Sequence, residues 1–405
     1  MKELTGGVAA AKGFTAAGIH CGVKNKNAGK KDLALIVSDC PCAAAGVYTR
    51  NRVKADPVFV TMENLRSGSA RAVVCNSGNA NACAPNGREN ALRMCEAAAA
   101  ALHIAPEEVA VASTGVIGKT LDIAAVEAGI PLAAAALSRD GSEDAAQAIM
   151  TTDTVKKELA LSLTLGGKPV VLGGIAKGSG MIHPNMGTML CFITSDVNIS
   201  ADLLAEALSD NTRRTFNRVS VDGDTSTNDM CVILANGKAE NPLIDWKNED
   251  YDAFCEALHF LCRHMARAIA GDGEGASRLV TCTVKGARSE ADAERMAITV
   301  VSSPLVKAAM FGTDANWGRV LCAMGYSKVA FDPGKADISF SSPAGTAAVC
   351  QGGVGLDFDE DTAKAILSQK EVTIAISLQE GAFEATSWGC DLTYDYVRIN
   401  GDYRT

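Results

Sequence analysis

Gly173–Thr194 reads GGIAKGSGMIHPNMGTMLCFIT, passing from a glycine-rich turn that carries one lysine into an uninterrupted apolar run. Glycines at 173, 174, 178 and 180 permit backbone conformations and close approaches closed to other residues, and Lys177 sets one positive charge among them. As a local pattern this is either a glycine-rich turn with a solvated lysine or a cationic loop facing an anion. The run that follows, MLCFI, reads as a buried strand. Working outward, Asp32–Val37, Ala72–Cys75, Pro169–Leu172, Leu190–Thr194, Val219–Val221, Leu279–Val284 and Ala297–Val301 carry strand patterns. Asn90–Ile104, stopped by Pro106, and Ala201–Leu208 and Ala253–Ala270 carry helical ones. The tail from Asp337 to Asn400 reads as mostly strand, with one helix near Glu360–Leu367. This mixture predicts an α/β protein of stacked sheet and helix layers.

The chain has 405 residues, enough for two or three domains. A change of composition near Arg278–Ala287 places the expected boundary, giving an α/β sandwich domain over 1–280 and a smaller C-terminal α/β domain over 281–405. At 47% hydrophobic and 21% charged, with mean hydropathy +0.09, the composition excludes wholesale disorder. Net charge −9 argues against a nucleic-acid partner, whose binding draws on Lys and Arg. No apolar run approaches the ~18 residues of a membrane span, and Lys12 interrupts the start before a signal-peptide core forms. A cytoplasmic location is expected. The 14 Cys are scattered, none three apart, with Cys40 and Cys42 the only close pair, so they read as small buried hydrophobes.

Gly187–Thr188 stands directly before the apolar run. If the Thr188 hydroxyl attacks the Gly187 carbonyl, the peptide rearranges to an ester, and hydrolysis leaves Thr188 as a new N-terminus. The freed α-amine, with an ordinary pKa of about 7.7–8.0, is then a general base beside its own hydroxyl nucleophile. Spacing alone does not separate this from a structural Gly-Thr pair.

The run KGSGMIHPNMGTML closely resembles the cleavage-site motif of the ornithine acetyltransferases, the bifunctional glutamate N-acetyltransferases of arginine biosynthesis. Four further stretches agree with that family: GGVAAAKGFTAAGIHCGVK at Gly6–Lys24, NSGNANAC at Asn76–Cys83, FNRVSVDGDTSTND at Phe216–Asp229 and SPLVKAAMFGTDANWGR at Ser303–Arg319. The resemblance spans essentially the whole chain. It implies a layered sandwich of the ornithine acetyltransferase/aminopeptidase type, made as a precursor and self-cleaved before Thr188. The α chain (1–187) and β chain (188–405) would stay associated as an α2β2 heterotetramer. It further implies acetyl transfer from N2-acetylornithine to L-glutamate through acetyl-Thr188, releasing ornithine and N-acetylglutamate. No cofactor or metal is implied. Some members also take acetyl-CoA as a co-substrate, and the resemblance leaves that open here. Carried over by motif, Thr188 is the nucleophile, Thr114 and Gly115 in STG form the oxyanion hole, and Thr151, Lys177, Thr188, Glu274, Asn400 and Thr405 bind substrate. Gly187 stands where the family commonly has Ala. Glycine takes up scissile geometry at least as readily, so cleavage is expected to persist.

These roles agree with the chemistry of the residues. Donors aimed at a tetrahedral oxyanion are worth roughly 2.7–4 kcal/mol each, and the Ser113–Gly118 turn offers an N–H and a hydroxyl. Lys177 suits a substrate carboxylate and Glu274 an ammonium, while Asn400 and Thr405 supply neutral hydrogen bonds if the terminus docks.

Other motifs fail. The GKT at 118–120 lacks the P-loop glycine at position 113, which is Ser. VDGDTSTND departs from a calcium loop at Thr227 and Ile233, and finds no companions for an aspartate-nucleophile phosphohydrolase, so its acidic and hydroxyl side chains read as ties for a turn. His20, His103, His183, His259 and His264 show no metal-ligand spacing, and Trp317 reads as a packing anchor near Arg319. Two rivals to the transferase remain: an N-terminal-nucleophile amidohydrolase or aminopeptidase of related fold, and an uncleaved binding scaffold.

Overall fold

The computed structural model describes residues 1–24, 29–183 and 189–402. Two mixed sheets organise them. In chain order the first ten strands are β1 (Lys2–Leu4), β2 (Phe14–Ile19), β3 (Leu33–Tyr48), β4 (Ser69–Asn79), β5 (Val109–Val116), β6 (Lys157–Leu165), β7 (Lys168–Lys177), β8 (Leu190–Ser195), β9 (Val219–Ser220) and β10 (Met230–Ala235). All but β9 form a nine-stranded sheet ordered β1-β6-β7-β8-β10-β3-β4-β5, with β2 pairing β3. The pairs β8–β10 and β4–β5 are parallel and the others antiparallel. Leu190, the first residue of β8, lies opposite Lys177 on one side and Met230 on the other.

Helices cover both faces of this sheet. On one face, Cys191, Ile193, Cys231 and Ile233 pack with Leu204 and Leu208 of the helix Ala201–Arg214 and with Phe254, Leu258 and Leu261 of the helix Glu249–Gly271. On the other, Phe192, Met230, Val232 and Leu234 meet Phe14 and the helix Ser142–Ile149. The alternation of faces along each strand explains the continuous apolar runs, because a strand covered on both sides has no solvent face. Burying one such Leu or Phe contributes roughly 1.5–3 kcal/mol. The helices begin where the sequence supplies caps: Ser200 accepts from the Leu203 N–H and Asn248 from the Tyr251 N–H.

The second sheet contains β9 with β11 (Leu279–Ala287), β12 (Asp337–Ser342), β13 (Gly345–Gln351), β14 (Val354–Gly355), β15 (Glu371–Ser377) and β16 (Phe383–Cys390), ordered β14-β13-β12-β15-β11-β16-β9. Its core of Val280, Cys282, Phe340 and Ile374 is closed by the helices Glu290–Ser302, Trp317–Gly325 and Glu360–Leu367. Trp317 packs at its margin. Through β9, a segment preceding Leu279 joins this second sheet.

Two elements differ from the sequence reading. Ala297–Val301 is the last part of the helix Glu290–Ser302, capped by Ser289. Its β-branched residues suggest a strand, but Ala293, Met296, Ala297, Val300 and Val301 recur at helical spacing and all are buried. The segment Tyr394–Asp402 is also a helix. No helix of the described residues is long and apolar enough to cross a membrane.

Candidate active site

One pocket gathers Thr114, Gly115, Thr151, Lys177, Glu274 and Asn400, six residues from five separate segments of the chain. Thr114 and Gly115 occupy the end of β5, where the ladder to β4 becomes irregular at Gly78 and Asn79. Gly115 has φ +129°, and a Cβ there would lie 2.4 Å from the Gly78 carbonyl carbon, so only glycine fits. The turn is fixed from behind. Ser113 Oγ donates to Asn76 Oδ1 at 2.6 Å, and Asn228 Nδ2 donates to the carbonyls of Ala80 (2.7 Å) and Ser113 (2.8 Å). Polar side chains of NSGNANAC and STND, distant in sequence, thus hold one strand end together.

Lys177 ends β7 with its side chain only 3% exposed, and its Nζ stands 3.9 Å from Asp153 Oδ2. Burial alone would raise the Asp153 carboxyl, but Lys177, Lys157 and the Gly178 N–H together hold it well below the usual carboxylate range. Asp153 Oδ2 also accepts from the Thr151 N–H at 3.1 Å, which ties Thr151 to the same centre.

Glu274 faces these groups from the loop after Gly271. Its N–H donates to the Ser179 carbonyl at 2.9 Å, and its carboxylate packs over Gly180, where a Cβ would come within 2.4 Å of it. Asn400 Nδ2 donates to Glu274 Oε2 at 2.8 Å. The helix bearing Asn400 is docked by Thr393 Oγ1, which donates to the Gly275 carbonyl at 2.6 Å, and by the edge-on contact of Tyr394 with Phe311.

Carboxylates of the VDGDTSTND stretch hold both flanks of 184–188. Asp222 accepts from the N–H groups of Met181 (2.6 Å) and Ile182 (3.0 Å), and burial pushes its carboxyl up to about 6 against those hydrogen bonds. Asp229, fully buried, accepts from the Met189 N–H at 2.9 Å, and burial raises it as well. Ser226, Thr227 and Asn228 between them line the pocket.

The ArgJ family model matches residues 15–405. The "Arginine biosynthesis bifunctional protein ArgJ" of Symbiobacterium thermophilum is 54% identical over 406 residues, covering 100% of both chains. This chain belongs to the ArgJ family. The Bacillus subtilis protein of the same description is 44% identical, over 100% of this chain and 98% of its own. A crystal structure of the ArgJ protein from Bacillus halodurans matches with TM-score 0.50 and 44% identity, covering 52% of this chain and 98% of the solved one.

Of the site residues expected for this ArgJ-family chain, Thr114, Gly115, Thr151, Lys177, Glu274 and Asn400 share the pocket. Gly187, Thr188 and Thr405 lie outside the described residues. Sequence reasoning did not single out Asp153, Lys157, Asp229 or Asn228. The i,i+4 spacing of Asp153 and Lys157 is a local pattern, but such pairs are common on surfaces and nothing in the spacing marks these two as buried.

Proposed function

We propose that this protein is the glutamate N-acetyltransferase of arginine biosynthesis, moving acetyl from N2-acetylornithine to L-glutamate by double displacement at Thr188 after self-cleavage at Gly187–Thr188. The observation that carries the reading is the convergence of an oxyanion-type strand end (Thr114, Gly115), a buried cation (Lys177) and a carboxylate (Glu274) on one pocket, with both flanks of 184–188 held by Asp222 and Asp229. The half-length Bacillus halodurans chain also agrees with a cut near the middle.

In the forward half-reaction the Thr188 hydroxyl attacks the acetyl amide carbon while its own α-amine takes the proton. The negative oxygen is stabilised by the Thr114 hydroxyl and the Gly115 N–H. The amide C–N bond then breaks, and the ornithine nitrogen leaves with the proton held by the α-amine. Glutamate enters with its carboxylate toward Lys177, its free amine attacks the ester carbon, and the Thr188 oxygen leaves and recovers a proton. Every step is acyl or proton transfer between organic groups and calls for no metal or redox cofactor. N2-acetylornithine and glutamate share an α-carboxylate, so Lys177, Thr151 and Asn400 serve both in turn, with Glu274 available to the ornithine ammonium. The α and β chains form an α2β2 assembly, working in the cytoplasm.

Intact mass under denaturing conditions tests cleavage, with two fragments meeting at Gly187/Thr188 expected. Thr188→Ala should give one full-length chain and no transfer, and Thr188→Ser should retain both. Transfer at the parent rate by Thr188→Ala would overturn the mechanism, and acetate release without acetylglutamate would favour a hydrolase. Acetylglutamate formed from acetyl-CoA without acetylornithine would establish the second donor.

A further inference from the structure

Behind the pocket lies a group of four charges, Lys157, Asp153, Asp272 and Lys177, of which Lys177 alone lines it. The side chains of Lys157, Asp153 and Asp272 are 1%, 0% and 7% exposed. Lys157 Nζ donates to Asp153 Oδ1 at 2.8 Å and to Asp272 Oδ2 at 2.6 Å, and it does not line the pocket. Asp153 serves one wall: it accepts from the Gly178 and Thr151 N–H groups at 2.7 and 3.1 Å and stands 3.9 Å from Lys177 Nζ. Asp272 serves the other. It accepts from the Thr154 N–H at 3.1 Å, and its carbonyl accepts from Ser179 Oγ at 2.7 Å, while the Ser179 carbonyl accepts from the Glu274 N–H at 2.9 Å.

Two ammonium groups and two carboxylates balance, as buried charges must. The geometry divides them unequally. Lys157 makes short bonds to both carboxylates, and this leaves Lys177 beside Asp153 but beyond hydrogen-bond distance of it. Without Lys157, Asp153 would have Lys177 as its only close cation and would draw Nζ inward by about 1 Å to normal ion-pair distance. Nζ would then be withdrawn from the pocket.

We propose that Lys157, acting through Asp153 and Asp272, is a positioning residue that keeps Lys177 free for the substrate carboxylate and sets its separation from Glu274. This rests on the assignment of Lys177 to that carboxylate. The deciding variant is the charge-neutral pair Lys157→Met/Asp272→Asn, which leaves no uncompensated buried charge and keeps an acceptor for Thr154. Steady-state kinetics of the matured enzyme, with N2-acetylornithine varied at saturating glutamate, should show KM raised tenfold or more with kcat within about threefold. Lys157→Arg should stay within threefold of the parent in both. Adding the pair to Lys177→Met/Asp153→Asn, so that neither variant leaves a buried charge unpaired, should make KM no worse than Lys177→Met/Asp153→Asn alone, because the effect passes through Lys177. A KM for the pair within twofold of the parent, or effects that multiply in the quadruple variant, would overturn the proposal. If Lys177→Met alone has parent kinetics, the assignment of Lys177 itself fails, a result separate from the first.

Discussion

Gly180→Ala is a small change with a large expected effect on catalysis. Gly180 has no positive φ, so alanine suits its backbone, but the new Cβ would lie 2.4 Å from Glu274 Cδ and Oε2 and 2.5 Å from Oε1. Ordinary contact begins near 3.4 Å, so the carboxylate must retreat by about 1 Å. A glutamate tip is flexible, so the fold yields there at little cost. The retreat strains or breaks the 2.8 Å bond from Asn400. That bond is worth roughly 1.5–3 kcal/mol if fully lost, less at this exposed position. On the proposed role of Glu274 in binding substrate, misplacing its carboxylate by about 1 Å can cost on the order of 100-fold. The expected result is a kcat/KM for N2-acetylornithine lowered about 10- to 100-fold, with self-cleavage intact and Tm lowered by no more than a few degrees. Gly325→Ala, which meets nothing within 4 Å, is the control. If Gly180→Ala keeps kcat/KM within twofold of the parent, the carboxylate of Glu274 is not where substrate is read.

Two further expectations concern stability. Asp222 has its folded-state pKa raised from 3.8 to about 6, so between those pH values the folded protein holds a proton that the unfolded chain has released. The stabilisation this gives is present near pH 4 and is withdrawn as pH rises through 6, by up to ~3 kcal/mol. Asp222→Asn should flatten that segment of the stability curve in urea unfolding at pH 4.5 and 7, and an unchanged slope would contradict the burial argument. Phe340, fully buried in the second sheet, should cost about 3–5 kcal/mol as Phe340→Ala, with the parent kcat/KM retained where the protein stays folded. A loss below 1 kcal/mol would mean that this core collapses around the gap.

Much of the fold is legible in short-range pattern. The helix Glu360–Leu367 begins at the residue where spacing puts it, and β8 and β11 begin where the apolar runs do. The helix at Ala297–Val301 is not legible locally, because ITVV favours a strand until the buried positions upstream fix its period. In the site, the glycines and lysine of Gly173–Gly180 mark a special loop, and the family motifs carry the remaining positions. The supporting charges are hidden for a physical reason. Asp153 and Asp272 are 119 positions apart, and nothing within either neighbourhood tells a buried ion pair from a solvated one. Likewise the hydrogen bonds of Asp222 and Asp229 to the flanks of 184–188 exist only after two strands have been brought side by side.

The strand order of the large sheet has a consequence for the proposed cut before residue 188. β8 and β10, which come after residue 188, are inserted between β7 and β3, which come before it. Each fragment therefore lacks the middle or the sides of its own sheet, and neither has a complete interior by itself. The proposed cleavage would convert a unimolecular folding reaction into a bimolecular one. Denatured cleaved enzyme would then refold at a rate that depends on fragment concentration, whereas an uncut chain would refold independently of dilution.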